Sequence, residues 1–97
     1  MLTVQQIKDT VAAYFKDKPV TEVYLFGSYA RGEAKESSDI DLGVVINRER
    51  LSLWQYVAMS TGLEDELKAK VDLVQIDLMH SWVKGNFEKE KISIYKA

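Results

Sequence analysis

The sequence predicts an α/β (α+β) fold, a small mixed β-sheet of three to four strands flanked by helices. Three observations point there. Clusters of β-branched and aromatic residues recur at 20–26, 40–46 and 71–76, each of ordinary strand length. The stretches around them carry apolar residues at helical spacing. Strands that alternate with helices bury their faces by packing those helices onto one sheet.

Thr3 followed by Gln6 fits a capping box, which starts a first helix over residues 4–16. Val4, Ile7, Val11, Tyr14 and Phe15 are expected to face the core, and Asp17, Lys18 and Pro19 end the helix. Residues 20–26 form the first strand. Gly27 and Ser28 break it, and a short helical turn follows through Gly32. Residues 33–38 are polar and form a surface loop that includes Lys35, expected to be solvated. In the second strand, residues 40–46, Ile40, Leu42, Val44 and Ile46 share the apolar face, and Asp39 and Asp41 start the other. A longer helix is expected over residues 51–70. Leu53, Tyr56, Val57, Leu63 and Leu67 would form its buried stripe, and Gly62 would weaken it locally. Residues 71–76 make a third strand. A helix over residues 79–91 places Met79, Val83 and Phe87 on one face, while its charge run at 88–91 reads as solvated. Residues 92–95 add a short edge strand. Core placement is the expectation for Trp54 and for Trp82 taken singly. A chain this small cannot bury all of its two tryptophans, five tyrosines and three phenylalanines, so part of the aromatic surface should form an exposed patch.

Composition narrows the function. A length of 97 residues suits one domain, residues 1–97, and 46% hydrophobic with 29% charged residues is a globular composition. With no cysteine, disulfides and thiolate metal sites are excluded. Thirteen Lys and Arg against fifteen Asp and Glu leave a net charge of −2, so direct nucleic-acid binding through phosphate contacts is not expected. No apolar run approaches a membrane span and the N-terminus does not look like a secretion signal, which points to the cytoplasm.

The informative stretch is Gly27, Ser28, Tyr29, Ala30, Arg31, Gly32, followed by Ser38, Asp39, Ile40, Asp41, Leu42. Asp39 and Asp41 are two apart on a strand and project from the same face. Two carboxylates about 4 Å apart repel by roughly 4 kcal/mol at an effective dielectric near 20. A divalent cation converts that repulsion to attraction, and oxygen-only donors favour Mg²⁺ or Mn²⁺. Asp72 opens the third strand where packing alone would prefer an apolar residue, and it reaches the same site if the third strand lies beside the second. Asp77 is a weaker candidate, because it lies at the strand's far end and could cap the next helix. Gly27 and Ser28 sit where a strand meets a short helix, a place where backbone amides can meet phosphate. Arg31 has two readings, a phosphate contact or a surface arginine paired with Glu33 or Glu36. His80, the sole histidine, reads as a surface or capping residue.

These residues resemble the nucleotidyltransferase signature of the DNA polymerase β superfamily, most closely its minimal nucleotidyltransferase (MNT) branch. Gly27, Ser28, Arg31, Gly32, Ser38, Asp39 and Asp41 stand at the family's spacing, and Val71, Asp72, Leu73, Val74 fit its third-acid strand. The resemblance implies the polymerase β-like fold. It implies that Asp39, Asp41 and Asp72 are catalytic and hold two Mg²⁺ (or Mn²⁺) ions. It also implies that Gly27, Ser28, Arg31 and Ser38 bind the nucleotide, with ATP as substrate. The implied reaction is attack on the α-phosphorus with loss of pyrophosphate.

Larger members carry further domains for the acceptor, and no such half is evident before Ala97. The resemblance therefore implies a partner. In the MNT branch this is a HEPN-domain protein encoded nearby, an RNase toxin neutralised by transfer of AMP, by binding, or by both. Two alternatives stay open: an antitoxin that blocks its partner by complex formation alone, and the catalytic subunit of a two-chain small-molecule nucleotidyltransferase.

Overall fold

The computed structural model describes all 97 residues apart from the side chain of Arg48. The element order is α1 (Val4–Phe15), β1 (Val20–Phe26), α2 (Gly27–Arg31), β2 (Ile40–Ile46), α3 (Leu53–Leu67), β3 (Val71–Gln75), α4 (Ser81–Glu90) and β4 (Ile92–Lys96). Short 3₁₀ turns occupy Arg48–Arg50 and Ile76–Leu78. The sheet order is β3-β2-β1-β4. β1 is antiparallel to both β2 and β4, and β2 is parallel to β3, so the sheet is mixed. The parallel pair needs a crossover, which α3 supplies.

Local chemistry sets the boundaries. The Thr3 hydroxyl accepts from the Gln6 amide at 3.1 Å, and the Gln6 side chain accepts from the Thr3 amide at 2.8 Å. α3 is shorter than the expected 51–70 because Ser52 and Gln55 form a second capping box, at 3.2 and 2.8 Å. Its other end closes at Lys68, which takes a φ of 54° and donates its amide to the Glu64 carbonyl. α3 continues unbroken through Gly62. α4 begins two residues later than expected, since the 3₁₀ turn at Ile76–Leu78 comes first.

Strand alternation gives the sheet two unlike faces. Val23, Leu25, Ile40, Leu42 and Val44 are fully buried on one of them. They pack with Ile7, Val11 and Phe15 of α1 and Met59, Leu63 and Leu67 of α3 in one continuous core. Tyr24, Phe26, Asp41 and Gly43 belong to the opposite face. There Phe87 of α4 is buried, edge-on to Tyr24 at 6.0 Å and to Phe26 at 5.1 Å. A Cβ at Gly43 would come within 2.9 Å of the Phe87 ring, so the missing side chain is what lets α4 settle on the sheet.

Several expected core positions lie outside. Val4 is 36% exposed, Leu53 74% and Val57 51%. The buried line on α3 runs through Met59, Leu63 and Leu67, with Tyr56 half-buried. At about 100° per residue, Leu53 falls beside that line, Val57 about 120° away from it and Trp54 opposite it. Trp54 is 83% exposed and Trp82 74%, so neither tryptophan is in the core. Aliphatic side chains already fill the α1/α3 face, and α4 covers only part of the other. Among the described residues, no helix is long and apolar enough to cross a membrane.

Candidate active site

The partly covered face holds a cleft of about 640 Å³ between α2 and α4. One wall carries Gly27, Ser28, Arg31 and Asp41; the other carries Trp82, Asn86 and Glu90. A second cleft, of about 570 Å³ and lined by Tyr14, Asp17, Lys18 and Glu66, joins none of the motif residues and lies away from the sheet's acidic face.

Sheet register brings the acids together. Asp41 lies opposite Phe26 on β1 and opposite Asp72 on β3. The residue 31 positions away in sequence thus becomes the cross-strand neighbour. The entry to β2 is pinned on both sides of Asp39. The Ser38 hydroxyl accepts from the Lys35 amide at 2.8 Å, closing the preceding turn, and the Ile40 amide donates to the Lys70 carbonyl at 2.9 Å. Ser38 therefore has an evident part in shaping the loop that delivers Asp39.

Gly27 is required at the strand-to-helix junction for two reasons. Its φ is +74°, and a Cβ there would overlap the Asp41 Oδ2 and stand 3.0 Å from its Cγ. The Asp41 carboxylate packs directly on the glycine backbone. Tyr29, 8% exposed, anchors α2 in the core, while half-buried Ser28 faces the cleft.

Glu90 was expected on a solvated helix face and is instead part of the site. Its Oε1 accepts from the Gly27 amide at 3.0 Å, and its Oε2 accepts from the Arg31 guanidinium at 3.0 Å. Arg31 also donates to Glu33 at 2.7 Å, so the surface-pairing reading of this residue holds in part. A trace of the Glu90 position exists in the sequence: Val83, Phe87 and Glu90 continue one helical stripe, whose last member is charged. The other candidates stay apart. Asp77 sits in the 3₁₀ turn beyond β3, and the N-cap position of α4 is taken by His80, which makes no side-chain cap bond. His80 and Lys35 are exposed.

Burial pushes the Asp41 carboxyl up to about 6, aided by the charges of Asp72 and Asp39 and opposed by Arg31. Excess negative charge at a half-buried point is what a hard cation would relieve, and the donors are all oxygen. Asp39, Asp41 and Asp72 therefore fit a Mg²⁺-type ion in donor chemistry. Among the described residues, however, no three such groups stand arranged to hold a metal ion.

The raised Asp41 value has a stability consequence. Its protonated form favours the fold, so the contribution is complete below about pH 4 and vanishes as pH rises through about 6. Above that, the charge opposes folding. A two-unit shift corresponds to about 3 kcal/mol, which solvent screening at a half-exposed group reduces to roughly 1 kcal/mol. In chelator at pH 7.5, Asp41→Asn is expected to raise Tm by about 4–8 °C, and to lose that advantage at pH 4. Thermal melts at the two pH values check this; a Tm below wild type at pH 7.5 contradicts it.

A nucleotidyltransferase domain model matches residues 4–96. The protein adenylyltransferase MntA of Thermococcus cleftensis is 35% identical over 98 residues, which is 97% of this chain and 98% of that protein. Among solved structures, a toxin-antitoxin complex with AMP-PNP superposes with a TM-score of 0.78 at 22% identity, covering 93% of this chain and 73% of that one. A complex of tri-AMPylated HEPN toxin with MNT antitoxin from Shewanella oneidensis gives 0.72 at 20% identity, covering 96% and 72%. The two structures share the fold, while the family model and the MntA relative run nearly the full length of the sequence. The chain belongs to the nucleotidyltransferase domain family.

Proposed function

We propose that the protein transfers AMP from ATP to a side chain of a HEPN-domain partner, with Mg²⁺, and that this neutralises the partner as a toxin. The observation that carries the reading is the register pairing of Asp41 with Asp72, with the Asp41 carboxylate packed on Gly27. This supports a metal site beside the backbone that would meet phosphate in this reading. The names of the MntA relative and of the HEPN complex support the acceptor class.

In this reading, Asp39, Asp41 and Asp72 would hold the metal, which when bound would supply charge neutralisation for the entering and leaving oxygens. The chain's own groups do the rest. Gly27, Ser28 and Arg31 orient the triphosphate, and the Glu90 carboxylate marks where the donors of Gly27 and Arg31 already hold an anion. Asp72, exposed on the same face, takes the proton of an acceptor hydroxyl. The new bond joins that oxygen to the α-phosphorus; the bond to the β-phosphate bridge breaks, and pyrophosphate leaves. Exposed Leu53, Trp54, Val57 and Leu78 offer the apolar surface a partner would cover. That surface also favours a second reading, in which complex formation alone silences the partner.

The test is label transfer. The protein is incubated with Mg²⁺, ATP and the purified HEPN protein encoded beside it. Label from the α-phosphate is expected on the HEPN protein, and label from the γ-phosphate is not. A stable complex that silences the RNase without any label transfer selects the second reading and overturns the first.

A further inference from the structure

Motif residues account for one wall of the cleft, whereas on the α4 wall only Glu90 has a partner in the site. Trp82, Val83, Asn86 and Glu90 all face the same space, and their spacing keeps them on one side of the helix. Glu90 sits at the phosphate-facing end, bonded to Gly27 and Arg31. Asn86 is one turn away and Trp82 two turns, about 12 Å along the axis at 1.5 Å per residue. A nucleotide whose phosphates take the place of the Glu90 carboxylate must extend its sugar and base along this wall or out into solvent. The Trp82 indole is 74% exposed, with the His80 ring tilted at 6.0 Å beside it. Phe87, on the same helix, meets the packing need with 1% exposure. Trp82 therefore offers a large ring that the core does not use, at the mouth of a cleft that ends in phosphate donors.

We infer that Trp82 and Asn86 form the seat for the nucleotide's base, with Trp82 as the stacking platform and Asn86 reading the base edge, and that the seat prefers adenine. This rests on the nucleotidyltransferase reading of the cleft. Aromatic stacking holds any base, because every base has a π-face. Asn86 adds discrimination. A carboxamide pairs its oxygen with the N6 amine of adenine and its amine with N7, whereas guanine presents two acceptors there and leaves the amide oxygen facing an acceptor. The sequence alone hid this pair, since residues four apart on a helix bear on a base only once the helix is known to line the cleft.

The experiment uses the full chain in a Trp54→Phe background, so that Trp82 is the sole tryptophan. With Mg²⁺ present, ATP, GTP and inorganic tripolyphosphate are titrated while emission and binding heat are followed. ATP is expected to quench Trp82 saturably, and tripolyphosphate to bind without quenching. Trp82→Ala should weaken ATP roughly ten- to hundredfold yet leave tripolyphosphate affinity unchanged, and Trp82→Phe should recover most of the loss. Asn86→Ala should bring the ATP and GTP affinities together. ATP that binds wild type and Trp82→Ala equally, without quenching, overturns the base seat and leaves the nucleotidyltransferase reading standing. A wild-type protein that binds neither ATP nor tripolyphosphate overturns both. Because Trp82 is exposed, its replacement should leave the melting temperature unchanged, which separates lost contact from lost fold.

Discussion

Asp39→Asn and Asp41→Asn are each expected to lower AMP transfer at least about a thousandfold while the fold survives. The estimate follows from the donor set. A carboxylate that helps hold a catalytic cation contributes to several kcal/mol of charge stabilisation in the transition state, and each 1.36 kcal/mol is a factor of ten. Survival of the fold follows from placement. Asp39 is exposed, and Asp41 is a partly exposed group whose charge opposes folding at neutral pH. The two variants therefore diverge from ordinary damaging mutations. Activity falls, yet the Asp41→Asn melt should be at or above wild type in chelator. Added Mg²⁺ should raise the melting temperature of wild type and barely move that of either variant. Paired label-transfer and melting measurements decide the matter. Transfer within tenfold of wild type in a folded variant removes that acid from the catalytic set.

Gly27→Ala is expected to cost about 1–2 kcal/mol of stability and at least a hundredfold in transfer. The first figure is the penalty for an L-residue held at a φ of +74°. The second has a steric cause. The new methyl overlaps the Asp41 carboxylate, whose Cγ and Cβ lie 3.0 and 3.3 Å from it, so the carboxylate must swing away from its position against α2. An acid displaced by about 1 Å can lose on the order of a hundredfold in rate even where the protein remains folded. Gly32→Ala is the control. It also has a φ of +74°, but open space surrounds the added methyl. Gly32→Ala should lose only the conformational part of that stability and keep its activity, and Gly27→Ala alone should lose most of its activity. Equal activities in the two would mean that the Asp41–Gly27 contact has no catalytic weight.

The contrast between Glu90 and Asp72 indicates what a single sequence can hold. Asp72 was visible, because a charged residue inside a strand pattern conflicts with local packing and the conflict needs a reason. Glu90 left only a faint trace, the charged end of the Val83 and Phe87 stripe, because a glutamate in a run of charges at a helix end conflicts with nothing. Its role depends on α4 folding back across the sheet, 63 residues after Gly27, so that its carboxylate accepts from that glycine's amide and from Arg31. Trp82 misled for a related reason. Tryptophan is apolar enough to suggest the core, but on the face that α4 covers the packing position is already taken by Phe87. The stripe on α3 was legible in Leu63 and Leu67, whose apolar spacing is unambiguous, and wrong at Leu53 and Val57, where apolar side chains lie off the stripe instead of forming it.

Periodicity, capping residues and the Gly-Ser and Asp-x-Asp spacing by themselves determined the strands, the first helix, the two-faced second strand and the identity of the acids. These depend on interactions among neighbours a few residues apart, and such interactions are written directly in local order. Tertiary structure alone decided that β3 pairs with β2 in the register that sets Asp72 beside Asp41, that α4 closes one wall of the cleft, and that both tryptophans face outward. Each of those outcomes is settled by competition among distant groups for one limited buried volume, and no local stretch of sequence specifies who wins it.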